Sequence, residues 1–224
     1  MSSEVDICNR ALSALGDEAT VASIDPPEGS AQADHCARWY PVARDQVLQA
    51  HTWSFATRRI ALAQVQFDYP MWQYAYAYPD DCLKLFSILP PDATNDYSVG
   101  LPLPVHVPLF ETALPPTGYV PQPFEIETDA DGDIIVLTNQ YQAVARYVAR
   151  ITDTTKFSQA FEEAVVRLLA SYLAGPIIKG AEGRAESRGQ YQIYGAALAE
   201  AMKSDGVQRQ IRPQQVVPWM RGRA

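Results

Sequence analysis

Apolar positions along the first fifty residues recur at spacings of three and four. Val5, Cys8, Leu12 and Leu15 form one such set, which predicts an amphipathic helix. Ser3 with Asp6 three residues later stands close to a capping box at its start, and Gly16 suits its end. The turn-forming run Asp25-Pro26-Pro27-Glu28-Gly29 follows. Ser30 can then cap a second helix reaching about Ala50, with Trp39 or Tyr40, Ala43, Val47 and Leu48 on its apolar face. Pro41 lies inside that pattern, so a kink or short break is expected there.

After Trp53 the period shortens to two. Arg59 to Val65 and Gln73 to Leu89 alternate and read as strands. Within the second stretch, Tyr74, Tyr76 and Tyr78 point to one side and Ala75 and Ala77 to the other, until Pro79 and the acidic pair break the strand. Residues 90–123 are rich in proline and poor in period, as in an inserted loop or projecting lobe. Phe124 to Glu127 and Ile134 to Leu137 flank an Asp-Gly turn and predict a hairpin. Ala143 to Ile151 supplies another strand.

Helical spacing returns at Ser158. Phe161, Val165, Leu168, Leu169, Tyr172 and Leu173 form a stripe that Gly175-Pro176 is expected to end. A last helix is expected from Glu182 to Lys203. Helices and strands are segregated along the chain rather than alternating, which points to α+β and away from a doubly wound nucleotide fold. The expected divisions are helices in 1–56, a β domain in 57–155 with its insertion at 90–123, helices in 156–205 and a tail in 206–224.

Charge changes the picture at the C-terminal end. The 224-residue chain carries a net −8, but Arg209, Arg212, Arg221 and Arg223 fall after Gly206 with no acidic residue among them. The first 205 residues therefore carry −12. That balance argues against general nucleic-acid binding, and the basic tail suits an acidic partner of its own. No apolar run is long enough to span a membrane, and the polar, acidic start argues against a secretory signal. Three widely spaced cysteines, Cys8, Cys36 and Cys82, read as reduced, mostly buried thiols.

Little in the chain resembles catalytic chemistry. Asp129, Asp131, Gly132 and Asp133 imitate part of a calcium loop, but Thr138 stands where the bidentate carboxylate belongs. His35 and Cys36 are adjacent, and neighbours on a helix point about 100° apart, so they share no site. His51 and His106 have no nearby ligand at metal spacing. Neither a nucleophile elbow nor a phosphate loop nor a zinc-protease motif is present, and no enzyme, metal or cofactor is expected. Arg44-Asp45 reads either as an ion pair orienting the turn before Trp53 and Phe55 or as a solvated pair beside a core tryptophan. Arg58-Arg59 is an exposed strand start or a partner contact.

Several segments form an ordered series along the chain. It begins with Ile7-Cys8-Asn9-Arg10-Ala11-Leu12 and Leu15-Gly16, then Cys36 with Tyr40, Arg44-Asp45-Gln46-Val47-Leu48 and Trp53-Ser54-Phe55-Ala56. Arg59 with Leu62-Ala63, Tyr74-Ala75-Tyr76 and Tyr78-Pro79-Asp80-Asp81-Cys82-Leu83 follow. Leu137-Thr138-Asn139, Arg146-Tyr147-Val148 and Phe161 with Leu168-Leu169-Ala170 complete the series, which covers most of residues 3–204. In order and spacing it resembles the tail tubular protein A family, the head-to-tail adaptors of tailed bacteriophages. Pro41 and the segment from Pro90 to Pro123 depart from it.

The resemblance implies an α+β fold with a four-helix bundle from the N- and C-terminal helices, a central antiparallel β domain and an extended C-terminal tail. It also implies a homo-oligomeric ring, dodecameric as a rule, that docks on the portal protein after packaging. Such a ring extends the channel for double-stranded DNA without binding it specifically and offers a platform to the tail tube or nozzle. On that reading the protein belongs at the head–tail junction of the virion, and in the host cytoplasm during assembly. Arg44, Asp45, Trp53, Tyr74, Tyr76 and Tyr78 are then interface or family-motif residues. Arg209, Arg212, Trp219, Arg221 and Arg223 form a portal-docking tail, with the tryptophan as apolar anchor. The alternative is a monomeric module that uses the basic tail on an acidic partner.

Overall fold

The computed structural model describes residues 2–18, 20–66, 71–91 and 122–207. Its elements are α1 (Glu4–Ala14), α2 (Ala31–Ala50), β1 (Thr57–Ala61), β2 (Gln64–Val65), β3 (Tyr74–Ala77), β4 (Cys82–Leu89), β5 (Phe124–Thr128), β6 (Ile134–Thr138), β7 (Val144–Ala149), α3 (Gln159–Ile178) and α4 (Gly180–Val207). The fold is α+β, with helices at both ends of the chain and two antiparallel sheets in between.

Two compact units divide the chain. One takes in the chain up to Arg58, Asp81–Leu85, and Tyr147 onward through α4; the other holds 59–80 and 86–146. A three-stranded sheet has the order β1-β7-β4. Each of its strands passes from one unit to the other, at Arg58–Arg59, Leu85–Phe86 and Arg146–Tyr147.

In the first unit the caps follow the sequence. Ser3 Oγ accepts from the Asp6 amide at 3.1 Å, and Asp6 Oδ2 accepts from the Ser3 amide at 2.8 Å. Ser30 and Ser158 cap α2 and α3 in the same way, accepting from Ala33 and Phe161. The expected four-helix bundle, however, is not formed. α3 is the common partner: α1, α2 and α4 each pack on it, while α1 and α2 meet each other over a smaller area. The reason lies in its composition. Buried residues follow one another around α3 at Ala164, Val165 and Val166 and again from Leu168 to Ser171. Burial on several sides makes α3 a central helix, with the ion-paired Glu163 and Arg167 left half-buried on its remaining face, whereas a bundle needs four helices with one stripe each. Phe161, Leu168 and Leu169 are fully buried, and each contributes about 1.5–3 kcal/mol of burial free energy.

Helix boundaries also differ from those expected. α2 runs unbroken through Pro41 because the ring lies on the exposed face, where water can take over the Ala37 carbonyl that loses its donor. α3 continues past Gly175-Pro176 to Ile178, and Lys179 and Gly180, at φ 62° and 63°, reverse the chain into α4. Gly183 permits the tight start of α4, since a Cβ there would come within 2.9 Å of the Ala174 carbonyl oxygen.

The second unit contains the four-stranded antiparallel sheet β2-β3-β6-β5. β5 and β6 form the expected hairpin, with Ile126 opposite Val136 and Thr128 opposite Ile134. Its turn is closed by Asp129, whose Oδ1 accepts from the amides of Asp131 and Asp133 at 3.0 and 2.9 Å, with Gly132 at φ 95°. The long alternating stretches are cut into short strands, at Leu62-Ala63 and at Tyr78 to Asp81. Ala75, Ile135 and Leu137 form the core on one face, covered by Val65 and Trp72. Apart from its ends, the insertion 90–123 lies outside the described residues.

Candidate functional site

Helix α2 brings Arg44 and Asp45 to its last turns. Arg44 is buried, and its guanidinium holds Asp45 Oδ1 at 2.9 Å, with Glu4 Oε1 at 3.9 Å and the Tyr40 ring 5.8 Å away. The other carboxylate oxygen, Asp45 Oδ2, takes the Arg150 Nε at 2.9 Å. This is the ion pair of the sequence reading, and Asp45 uses it to tie α2 to the residue just after β7. A buried cation removed from its partner costs about 3–5 kcal/mol, so the pair serves the fold. The Tyr40 hydroxyl is buried without a hydrogen-bond partner among the described residues, and burial pushes its pKa up.

Trp53 is fully buried. Its Nε1 donates to the Val47 carbonyl at 2.9 Å, satisfying an acceptor that the end of α2 would otherwise leave open. Phe161 and His51 meet its ring edge to face, at 5.1 and 5.0 Å.

Beside it lies a residue that sequence reasoning missed. Asp205, in the last turn of α4 and 6% exposed, accepts from the Ser54 hydroxyl at 2.6 Å and the Ser54 amide at 3.0 Å, and lies 3.4 Å from His51 Nε2. Local spacing around His51 could not reveal a partner so distant in sequence. The available signal was an acid at a helix C-terminus, where the helix dipole disfavours it.

The N-terminal motif resolves into separate tasks. Ile7, Cys8, Ala11 and Leu12 enter the core, and Cys36 turns inward to hydrogen-bond Cys8 while its neighbour His35 is half-buried. Asn9 pairs with both backbone groups of Val21, at 2.9 and 2.7 Å, fastening the loop after α1. Arg10 reaches Glu162 at 3.2 Å and Glu163 at 2.7 Å, clamping α1 to the first turn of α3. Asp81 accepts from Tyr147 Oη at 2.8 Å and from Arg58 at 2.6 Å, which gives Arg58 a partner within its own chain. Burial, and then this hydrogen bond, pushes the Tyr147 hydroxyl up to about 12.

The tyrosines divide by depth. Tyr76 is buried, donating to the Gln140 carbonyl at 2.8 Å and accepting from the Ala143 amide at 3.4 Å, so it shapes the turn between β6 and β7. Tyr74 shares its face, opposite Thr138, and lies 5.5 Å from exposed Tyr141. Tyr78 falls beyond the end of β3 and is half-buried. Arg209, Arg212, Trp219, Arg221 and Arg223 lie outside the described residues.

Among the described residues no group of three His, Cys, Asp or Glu side chains could hold a metal ion, and no helix is long and apolar enough to cross a membrane. No known protein family matches the chain, and no curated protein matches it. What the site offers is a set of tight internal clamps, together with exposed apolar residues outside them: Val42, Tyr191 and Ile193 on helices, and Ile126, Ile134 and Tyr141 in the second unit.

Proposed function

We propose that this chain is a structural head-to-tail adaptor of a tailed bacteriophage, a ring subunit that docks on the portal, continues the DNA channel and carries the tail. The observation that carries the reading is the ordered series of motifs from Ile7 to Ala170. Members far apart in sequence serve one another, as when Arg10 grips the turn beside Phe161 and Tyr147 grips Asp81. Charge supports it as well. A body carrying −12 over its first 205 residues suits a channel wall along which DNA slides, whereas a basic wall would hold the phosphates. The basic tail, with Trp219 as anchor and Arg209, Arg212, Arg221 and Arg223 as contacts, is the portal-docking segment on this reading.

The test is the mass of the purified chain in solution, alone and mixed with its portal protein. A stoichiometric portal complex that is lost on deleting residues 206–224 is the expected result. A chain that stays monomeric and ignores the portal overturns the adaptor reading in favour of a monomeric binding module.

A further inference from the structure

Two surfaces stand out once the internal clamps are set aside. On the helices, Trp39 and Tyr172 pack at 5.3 Å between ring centroids, and the Tyr172 hydroxyl donates to Gln46. Val42 is 47% and Tyr191 54% exposed, and Tyr191 lies near enough to Tyr172 to help raise its pKa, after burial. Arg184, Arg188 and Tyr191 follow at i, i+4 and i+7, so both cations flank the aromatic surface on one face of α4. Neither arginine has an ion pair among the described residues, and both are exposed. Aromatics rimmed by arginine are what protein interfaces concentrate.

The β5–β6 hairpin is the opposite in charge. From Gln122 to Ala145 the chain has five carboxylates and no lysine or arginine. Asp129 is spent on the turn, while Asp131 and Asp133 are exposed beside Ile134. The strand register places Ile126 and Ile134 on one face as diagonal neighbours, and they are 43% and 51% exposed. Among the described residues β5 is also the edge strand of its sheet.

We propose that these surfaces meet between copies: the acidic, isoleucine-bearing hairpin of one subunit seats on the Trp39–Tyr172–Tyr191 surface of the next, with Asp131 and Asp133 against Arg184 and Arg188. The inference rests on the ring reading and deepens it. Two unlike faces on one chain make a heterologous contact, the kind that repeats around an axis. The partner is a second copy because the chain itself supplies both halves of the charge match.

The experiment measures self-association of the full chain at millimolar concentration, by cross-linking and native mass. Two charge-reversed variants are compared with the unaltered protein: Arg184→Glu with Arg188→Glu, and Asp131→Lys with Asp133→Lys. Each variant alone is expected to lower the association constant by at least about tenfold. Mixed in equal amounts they should regain it, because every hairpin then faces a surface of opposite sign in an alternating assembly. Restoration also shows that both variants are folded. Variants that associate as well as the unaltered chain overturn the contact, and so does a mixture that fails to recover. An unaltered chain that forms no oligomer overturns it too, while the adaptor reading is then judged separately by portal binding.

Discussion

Asp81 binds two side chains at once, the Tyr147 hydroxyl at 2.8 Å and the Arg58 guanidinium at 2.6 Å, and the arrangement has a pH signature. Tyr147 is held neutral by burial and by the carboxylate it donates to, so its pKa rises from 10.0 to about 12. A raised folded value means the native state keeps its proton longer than the unfolded chain. The stability it adds is whole below pH 10 and is lost as pH rises through about 12. Tyr147→Phe should therefore show a shallower alkaline loss than the unaltered protein, read as urea midpoints on either side of that window. Equal losses would remove Tyr147 from the account. At this scale the sequence was partly legible. Ser3, Ser30, Arg44 and Asp45 act as their local chemistry suggests, because their partners are near in sequence or on the same helix. Asn9, Asp81 and Asp205 were opaque in role, because each binds a partner that only the folded chain brings near.

Among the elements, α2, the hairpin and the starts of α1 and α3 were readable from period and caps, whereas the ends of α3 and α4 were not. Gly175-Pro176 signals a stop, yet α3 continues to Ile178, and α4 extends past Lys203 to Val207 with Asp205 buried in its last turn. That carboxylate pins the last turn of α4 to the turn after α2. Asp205→Ala withdraws it from Ser54 and His51, and should cost about 1–3 kcal/mol, the usual penalty for breaking a buried polar contact. Urea unfolding measures the cost, and hydrogen exchange should quicken in the final turn of α4 and at the Ser54 amide. Unchanged exchange there would mean that the pin does not hold the helix end. The bundle expectation failed at this scale for a related reason. A stripe of six apolar residues is evident on α3, but the small residues Ala164, Ala170, Ser171 and Ala174, which widen its buried surface beyond that stripe, carry little hydrophobic signal.

For the whole molecule, segregation of helices from strands gave the α+β class, and the acidic body with its basic end gave the charge asymmetry. Interleaving of the two units was hidden, since nothing in composition marks Arg58, Leu85 or Arg146 as crossing points. It has a consequence for biosynthesis. The second unit's described strands are all translated by Arg146, before the first residue of α3 leaves the ribosome. Helices α1 and α2, whose principal packing partner is α3, must wait for roughly a hundred further residues, about 5–20 s at ordinary elongation rates. Until then Ile7, Leu12, Val47 and Leu48, fully buried in the folded chain, are expected to lack the α3 surface on which their helices pack. A fragment ending at Arg150 should thus protect its hairpin from protease and leave α1 and α2 open to cutting, and protection of both helices would show that they need no α3 to settle. Helices α1 and α2, translated ahead of the strands, are therefore among the last elements to find their packing partner.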